Sequence, residues 1–295
     1  MNPNRSEFID LPGRRLHVRR WGDPTAPTLF LLHGWMDVSA SFQFVVDALA
    51  REWNIVAPDW RGFGPSQWLG RPYYFSDHVA DCAALVDHYS PAAPARLVGH
   101  SMGGIIACLY AGIRPERVER LISIEGFGIA PTTPDMAPER YRQWLDAQIT
   151  PPRMHTYRDR AAFASRLARD NPRLTPERAT FLAEHLAVPV DGGVAWAGDP
   201  WHKAPGAYLF RLDESMAIWR EITAPTLWIA APGSTIVREF NKRPGDWAAR
   251  QACFRNVRET WVDDAGHMLH HDQPETIARL IEDFLTATPP NDEAP

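Results

Sequence analysis

Cysteine is scarce in this chain: only Cys82, Cys108 and Cys253 occur in 295 residues. Their odd number, wide spacing and lack of any Cys-x-x-Cys pair argue against a disulfide framework or a thiolate metal site, and predict reduced, partly buried thiols without a chemical role. An excess of positive charge is missing too. The formal net charge is -5 and the arginines are scattered among acids, so the electrostatic footprint of a nucleic-acid binder is absent. No apolar run approaches the ~20 residues of a membrane span, and Met1 to Phe8 contain no apolar stretch of signal-peptide length. The expectation is a soluble, cytoplasmic protein with neither nucleic-acid nor membrane partners. Internal repeats and low-complexity blocks are also lacking. What is present, 45% hydrophobic and 23% charged residues with 12 tryptophans, suits one large globular domain carrying an inserted subdomain.

Taken in order, the chain alternates between two periodicities. Phe8 to Leu11 and Leu16 to Arg20 read as short strands around a Pro12-Gly13 turn. Thr28 to Leu32 is continuously apolar, the mark of a strand buried on both faces of a parallel sheet. Phe42, Val45, Val46 and Leu49 then fall at helical spacing, and Trp53 to Pro58 gives the next strand. A helix with an inner face of Val79, Cys82, Val86 and Tyr89, capped by Ser76 or Asp77, follows. Strand and helix then recur at residues 96–114, and Val118 to Ile124 is again β-rich. This β-α-β-α-β-α-β alternation predicts a parallel sheet with helices on both faces and ligands at the carboxyl ends of its strands.

From Gly126 prolines cluster, and the helical pieces Glu139 to Ile149, Asp159 to Arg169 and Pro176 to Ala187 have no strands between them. That pattern predicts a helical cap at residues 127–213, inserted into a core formed by residues 1–126 and 214–295. Pro225 to Ala231 and Glu259 to Asp263 return to strand. Thr276 to Leu285 is an amphipathic helix facing inward with Ile277, Leu280, Ile281 and Phe284, and a polar tail expected to fray follows from Thr286.

Ser101 stands where the strand Arg96-Leu-Val gives way at once to a helix with Ile105, Ile106, Leu109, Tyr110 and Ile113 at its periodic positions. So sharp a turn strains the central residue and crowds its flanks, which favours residues without side chains two before and two after. Gly99 and Gly103 stand there. This Gly-x-Ser-x-Gly elbow lifts a serine oxygen clear of the sheet and leaves the Met102 amide aimed at whatever binds. A tight turn without chemistry is the plainer alternative. A serine hydroxyl is a poor nucleophile, so it needs a base and a group to orient that base. Eleven histidines compete. His267 lies in Asp264-Ala-Gly-His-Met268, directly after the last strand, and could reach back over the elbow. His270 and His271 belong to the next helix start and read as surface residues; His100 points away by strand alternation; His33 reads as a prop for the loop that follows its strand.

The His33-Gly34-Trp35 loop, the Asp59-x-Arg61-Gly62-x-Gly64-x-Ser66 loop, the Gly99 to Gly104 elbow and the Gly266-His267 loop stand in the order found in the α/β-hydrolases of the capped type, which nearly the whole chain resembles. The resemblance implies a second oxyanion amide from Trp35 beside that of Met102. At the acid, the chain departs from the commonest family pattern. Many relatives carry an aspartate after the strand equivalent to Thr226 to Ala231, but here Ala231-Pro-Gly-Ser-Thr235 holds no carboxylate. The alternative family position, after the strand that follows the elbow helix, is filled by Glu125. Glu125 is favoured over Asp263, Asp264, Asp213 and Asp135, against the alternative of a structural carboxylate bonding the cap backbone.

A serine at position 101 disfavours the haloalkane dehalogenases and epoxide hydrolases, which attack with aspartate. Glu125, the Gly266-His267 loop and the cap segment Trp196 to Pro200 look most like the serine-hydrolase-like branch. The implied activity is cofactor-independent and metal-independent hydrolysis of a small-molecule carboxylic ester, with Trp35, Met102 and Phe127 facing the substrate. Lactone hydrolysis, carbon-carbon bond hydrolysis of a diketone, a perhydrolase side activity and a non-catalytic ligand sensor are the competing readings. A monomer or a homodimer is expected.

Overall fold

In the computed structural model, residues 1–287 are described. The tail expected to fray from Thr286 lies, from residue 288 onward, outside the described residues.

A hairpin opens the chain. Strands β1 (Asn4–Leu11) and β2 (Arg14–Trp21) pair antiparallel around Gly13, whose φ of 74° suits a residue without a side chain. Then follow β3 (Thr28–Leu32), α1 (Gln43–Ala48), β4 (Asn54–Pro58), α2 (Phe75–Tyr89), β5 (Ala95–His100), α3 (Met102–Ile113) and β6 (Val118–Ile124). The connection from β6 holds α4 (Ala137–Ile149), α5 (Arg160–Asp170), α6 (Pro176–Leu186), β7 (Ala187–Val190), β8 (Gly193–Trp196) and α7 (Leu212–Trp219). The chain closes with β9 (Thr226–Ala230), α8 (Thr235–Asn241), α9 (Asp246–Gln251), β10 (Val257–Trp261), α10 (Leu269–Asp272) and α11 (Pro274–Thr286).

Eight strands form one sheet in the order β1-β2-β4-β3-β5-β6-β9-β10, parallel from β4 through β10. The apolar runs are unbroken because both faces are covered. Leu29 and Leu31 enter one core with Val45, Ile277 and Ile281, whereas Phe30 and Leu32 enter a second with Leu85 and Ile106. From β3 the chain steps one way to β4 and then crosses to β5 on the other side. That reversal opens a crevice at the carboxyl ends of β3 and β5, where a doubly wound sheet binds its ligands.

Two local expectations need correction. The connection between β6 and β9 is not purely helical: β7 and β8 form an antiparallel hairpin turned by Asp191-Gly192, with Gly192 at φ 82°. Each arm has only four residues, and Pro189 removes an amide from one of them, so the strand pattern is too short to stand out. In α2 the buried face holds His78 and Asp81 together with Cys82, Leu85 and Val86, rotated from the apolar register read earlier. The reason is polar. Asp81 accepts bonds from Arg61 at 2.6 and 2.7 Å, so a charged residue turns inward.

α5, α6 and the β7-β8 hairpin bury Phe163, Leu167, Leu182, Leu186 and Val194 against Val38, Ala40 and Phe44 of the core. The three cysteines are free and buried. Among the described residues no helix is long and apolar enough to cross a membrane.

Arg250, fully buried on α9, ties down the chain as it leaves β6: it donates to the carbonyls of Phe127 at 2.8 Å and Ile129 at 2.9 Å while pairing with Asp246 at 2.9 Å. Removing the guanidinium leaves two carbonyls without their donor and Asp246 with Arg243 as its remaining partner. Arg250→Met is therefore expected to cost about 3 kcal/mol in urea unfolding; an unchanged midpoint would deny the tether its role.

Candidate active site

Ser101 bridges β5 and α3 with φ 51° and ψ -117°, a conformation that L-residues rarely adopt. Its amide donates to Ile124 at 2.8 Å, and its carbonyl accepts from Ile105 at 3.0 Å. The flanking glycines are sterically required. A Cβ on Gly99 would stand 2.4 Å from the Gly103 carbonyl oxygen, and one on Gly103 would stand 2.1 Å from that of Leu32. Met102 is the first residue of α3, so its amide has no acceptor within the helix and stays available.

His267 follows β10 and reaches back to the elbow. Its Nε2 lies 3.0 Å from Ser101 Oγ, and its Nδ1 lies 3.3 Å from Glu125 Oε2. The histidine side chain is 26% exposed, whereas that of Glu125 is fully enclosed. Glu125 Oε1 accepts from the Ala231 amide at 2.9 Å, and Oε2 also accepts a short bond from Ser234 Oγ. Ser234 was not anticipated. It stands in the segment where many relatives carry their acid, and here its hydroxyl serves the glutamate from the neighbouring strand end. Four non-glycine residues among those described have positive φ: Met36, Ser101, Glu125 and Asp264. All lie in loops or turns beyond the carboxyl ends of β3, β5, β6 and β10, so the backbone strain is concentrated around one spot.

A cavity of about 270 Å³ opens at Ser101 and Met102. Trp35, Tyr73, Phe75, His78, Ile129 and His202 supply much of its wall. Trp35 is 52% exposed, and its indole donates to the His202 carbonyl at 3.2 Å. Phe127 corrects the expectation: it does not line this cavity. Its ring is buried between Trp228 of β9 and Trp247, each 4.6 Å away between centroids, where the chain goes after the positive-φ turn at Glu125. The loop of residues 59–66 clamps the inserted segment. Gly64 donates to Ala197 at 2.8 Å and Asp199 donates to Gly62 at 2.7 Å, while the Trp196 indole reaches the Met36 carbonyl at 2.6 Å.

Comparison with known proteins agrees with the fold. Residues 27–274 match the family described as alpha/beta hydrolase fold. The chain belongs to that family. It is 26% identical to a serine hydrolase-like protein of Danio rerio over 97% of this chain and 90% of that one. It is 27% identical to a 3-hydroxybutyrate-oligomer hydrolase of Cupriavidus necator, over 92% of this chain and 93% of that protein. Among solved structures, the thioesterase domain from the curacin biosynthetic pathway superposes with a TM-score of 0.85 at 26% identity, covering 95% of this chain and 100% of the other. The serine-hydrolase-like similarity accords with the branch to which Glu125 pointed.

Two other histidines of this α/β hydrolase hold loops of the site in place. His33 Nε2 accepts from the Trp60 amide at 2.9 Å, which leaves Nδ1 to donate to Gly34 at 2.7 Å and so braces the loop bearing Trp35. His100 Nε2 donates to the carbonyl of His267 at 2.8 Å, securing the very loop that carries the candidate base. His270 and His271, read as surface residues, are buried instead. α10 turns them inward, where His270 packs on His100 with centroids 4.3 Å apart and lies 3.4 Å from Asp37 Oδ2. Asp37 also accepts from Ser41 at 2.8 Å and from Val38 at 2.9 Å. A helix only four residues long offers too little periodicity to reveal which side faces the core.

Burial holds His33, His78, His100 and His271 below the ordinary imidazole range, with neighbouring imidazoles adding to it. For Asp37 burial pushes upward, but the His270 bond and the surrounding imidazoles outweigh it and bring the carboxyl to about 2. A histidine with a depressed folded pKa stabilises the fold above the unfolded value of ~6.5, because below it only the unfolded chain takes up the proton. Stability is thus expected to fall between pH 7 and pH 5 while Asp37 stays ionised. Urea midpoints measured across that window should drop; a flat profile would contradict the buried-neutral assignment.

Proposed function

We propose that this hydrolase cleaves carboxylic esters of small to medium apolar substrates through an acyl-enzyme on Ser101. The observation that carries the reading is the position of His267, with one ring nitrogen on the serine oxygen and the other on an enclosed glutamate. In the first half-reaction, Ser101 Oγ attacks the ester carbonyl while His267 Nε2 takes the hydroxyl proton. Glu125 keeps the ring in the tautomer with Nδ1 protonated and steadies the imidazolium. The oxyanion is received by the amides of Trp35 and Met102, assisted by the N-terminus of α3; two such donors supply ~3 kcal/mol each. The alcohol departs with the proton from His267. Water, deprotonated by the same imidazole, then attacks the acyl-enzyme and releases the acid and Ser101.

The inserted segment acts as the cap in this reading, with Trp201 and His202 roofing the cavity. Similarity to an oligoester hydrolase and to a thioesterase domain favours acyl transfer from oxygen or sulfur over cleavage of a carbon-carbon bond. A ligand sensor would have no need of the aligned serine, imidazole and carboxyl.

Turnover of short aliphatic and aryl esters tests the proposal. Ser101→Ala is expected to abolish it, and Glu125→Gln to lower kcat about 10³-fold or more while the thermal midpoint stays within a few degrees. Ser234→Ala, which removes one of the bonds holding Glu125, is expected to lower kcat by about tenfold. Near-normal turnover in Glu125→Gln would move the orienting role away from Glu125.

A further inference from the structure

The side of α3 that begins at the elbow continues past the Ser101 cavity. Met102, Ile105, Leu109 and Ile113 fall at helical spacing and lie along one side of the helix. Met102 and Ile105 line the cavity at Ser101, whereas Leu109 and Ile113, further along, line a groove of about 680 Å³. The two spaces adjoin at Tyr73, Tyr74, Phe75 and Ile129, which border both. Beyond that junction the groove is walled by Val79 and Ala83 of α2, Ile218 of α7 and, from the inserted segment, Tyr208 and Phe210. Tyr74 rests against the inserted segment: a Cβ on Gly206 would stand 2.7 Å from its ring, and the Tyr208 ring is 5.8 Å away between centroids.

Ile113, Ile129 and Tyr208 are exposed large apolar residues, and all three border this groove. Apolar surface gathered in one place marks a binding site more often than apolar residues scattered singly. The cavity at Ser101, about 270 Å³, lies just below the roughly 300–1,000 Å³ of ordinary small-ligand sites, so the groove supplies room that the cavity lacks. From Met102 to Ile113 the helix rises about 16 Å, a path suited to an extended alkyl chain. Among the described residues no charged side chain lines the Ser101 cavity. Of those that border the groove, Arg114, Arg211 and Glu214 are exposed and Arg140 is half-buried, so their charges keep contact with water. The part of the path nearest the serine is therefore fit for an uncharged chain. In an acyl-enzyme the acid half stays joined to Ser101, and Met102, the next residue, is where the path begins.

We propose that the groove along α3 holds the acyl chain of the substrate, and that the natural substrates are esters of medium-chain aliphatic acids. This rests on the acyl-enzyme reading of Ser101. A short acid fills only the cavity at the serine. A longer one passes Tyr74 and Ile129 and lies on Leu109 and Ile113, and each methylene that leaves water there adds to binding. Contacts so far from the reacting carbonyl raise kcat/KM by holding the ester in place over the serine.

The test compares kcat/KM for ethyl butyrate, ethyl decanoate and decyl acetate. The last two are isomers that carry the long chain on the acid and on the alcohol side. Ethyl decanoate is expected to exceed ethyl butyrate by about tenfold or more, and to exceed decyl acetate. Ala83→Trp, which narrows the groove from α2, and Ile113→Lys, which sets a charge at the far end of the path, should each lower the ratio of ethyl decanoate to ethyl butyrate about fivefold. That ratio is internal to each protein, so a loss of folded material leaves it untouched. Equal kcat/KM for the two ethyl esters, decyl acetate ahead of ethyl decanoate, or a ratio unchanged in both variants would overturn the proposal. Calorimetric titration of the inert Ser101→Ala protein is read separately, with ethyl decanoate expected to bind more tightly than ethyl butyrate and added Ile113→Lys to shrink the difference. Absence of turnover for every ester would count against the hydrolase reading, while the titration would still decide the role of the groove.

Discussion

The carboxyl group of Glu125 is enclosed by protein, and both of its oxygens have partners there. One accepts the Ala231 amide; the other faces Ser234 and His267. A buried group of this kind is tolerated only where hydrogen bonds replace the water it gave up. Its partners therefore fix more than a side chain. Glu125 ends β6, Ala231 and Ser234 follow β9, and His267 follows β10, so one residue sets the relative positions of three neighbouring strand ends. Ser101, at the end of β5, is the fourth point, reached through the imidazole.

Backbone strain enters at the same places. The left-handed conformations of Ser101 and Glu125 direct two side chains toward one spot above the sheet, and Asp264 bends the loop that delivers the third. Such conformations cost about 1–3 kcal/mol each and persist only where the surroundings over-determine them. Here the surroundings are a sheet buried on both faces, glycines that allow the elbow to close, and a set of buried imidazoles. His100 secures the His267 loop, and His33 secures the Trp35 loop. The inserted segment is coupled to the Trp35 loop through Trp196 and to the loop of residues 59–66 through Asp199. The two walls of the cavity thus share supports.

The parallel sheet, the elbow and the serine-histidine pairing were legible because each leaves a local signature: apolar runs for strands covered on both faces, glycines where a Cβ cannot fit, a histidine directly after the last strand. Glu125 became visible by analogy with a family whose usual acid position holds no carboxylate here. Less legible were residues whose orientation depends on remote partners. Asp81 faces inward because it pairs with Arg61, and His78, one turn earlier on the same face of α2, is buried with it; no periodicity of α2 announces it. His270 and His271 are buried by the packing of a helix four residues long. Phe127 is adjacent to the site in sequence, yet after the turn at Glu125 its ring lies in the core against Trp228 of β9. Ser234 carried a signal that could have been followed, since a hydroxyl in a segment without a carboxylate can donate to a glutamate at the neighbouring strand end.

The central claim is that Ser101 has a reactivity conferred by His267 and Glu125. Exposure of the protein to a fluorophosphonate, followed by intact-mass measurement, interrogates that reactivity without knowledge of the substrate. The account predicts a single adduct on the native protein, none on Ser101→Ala and sharply slowed labelling of His267→Ala. A native protein that stays unlabelled, or an adduct that persists when Ser101 is replaced, would contradict it.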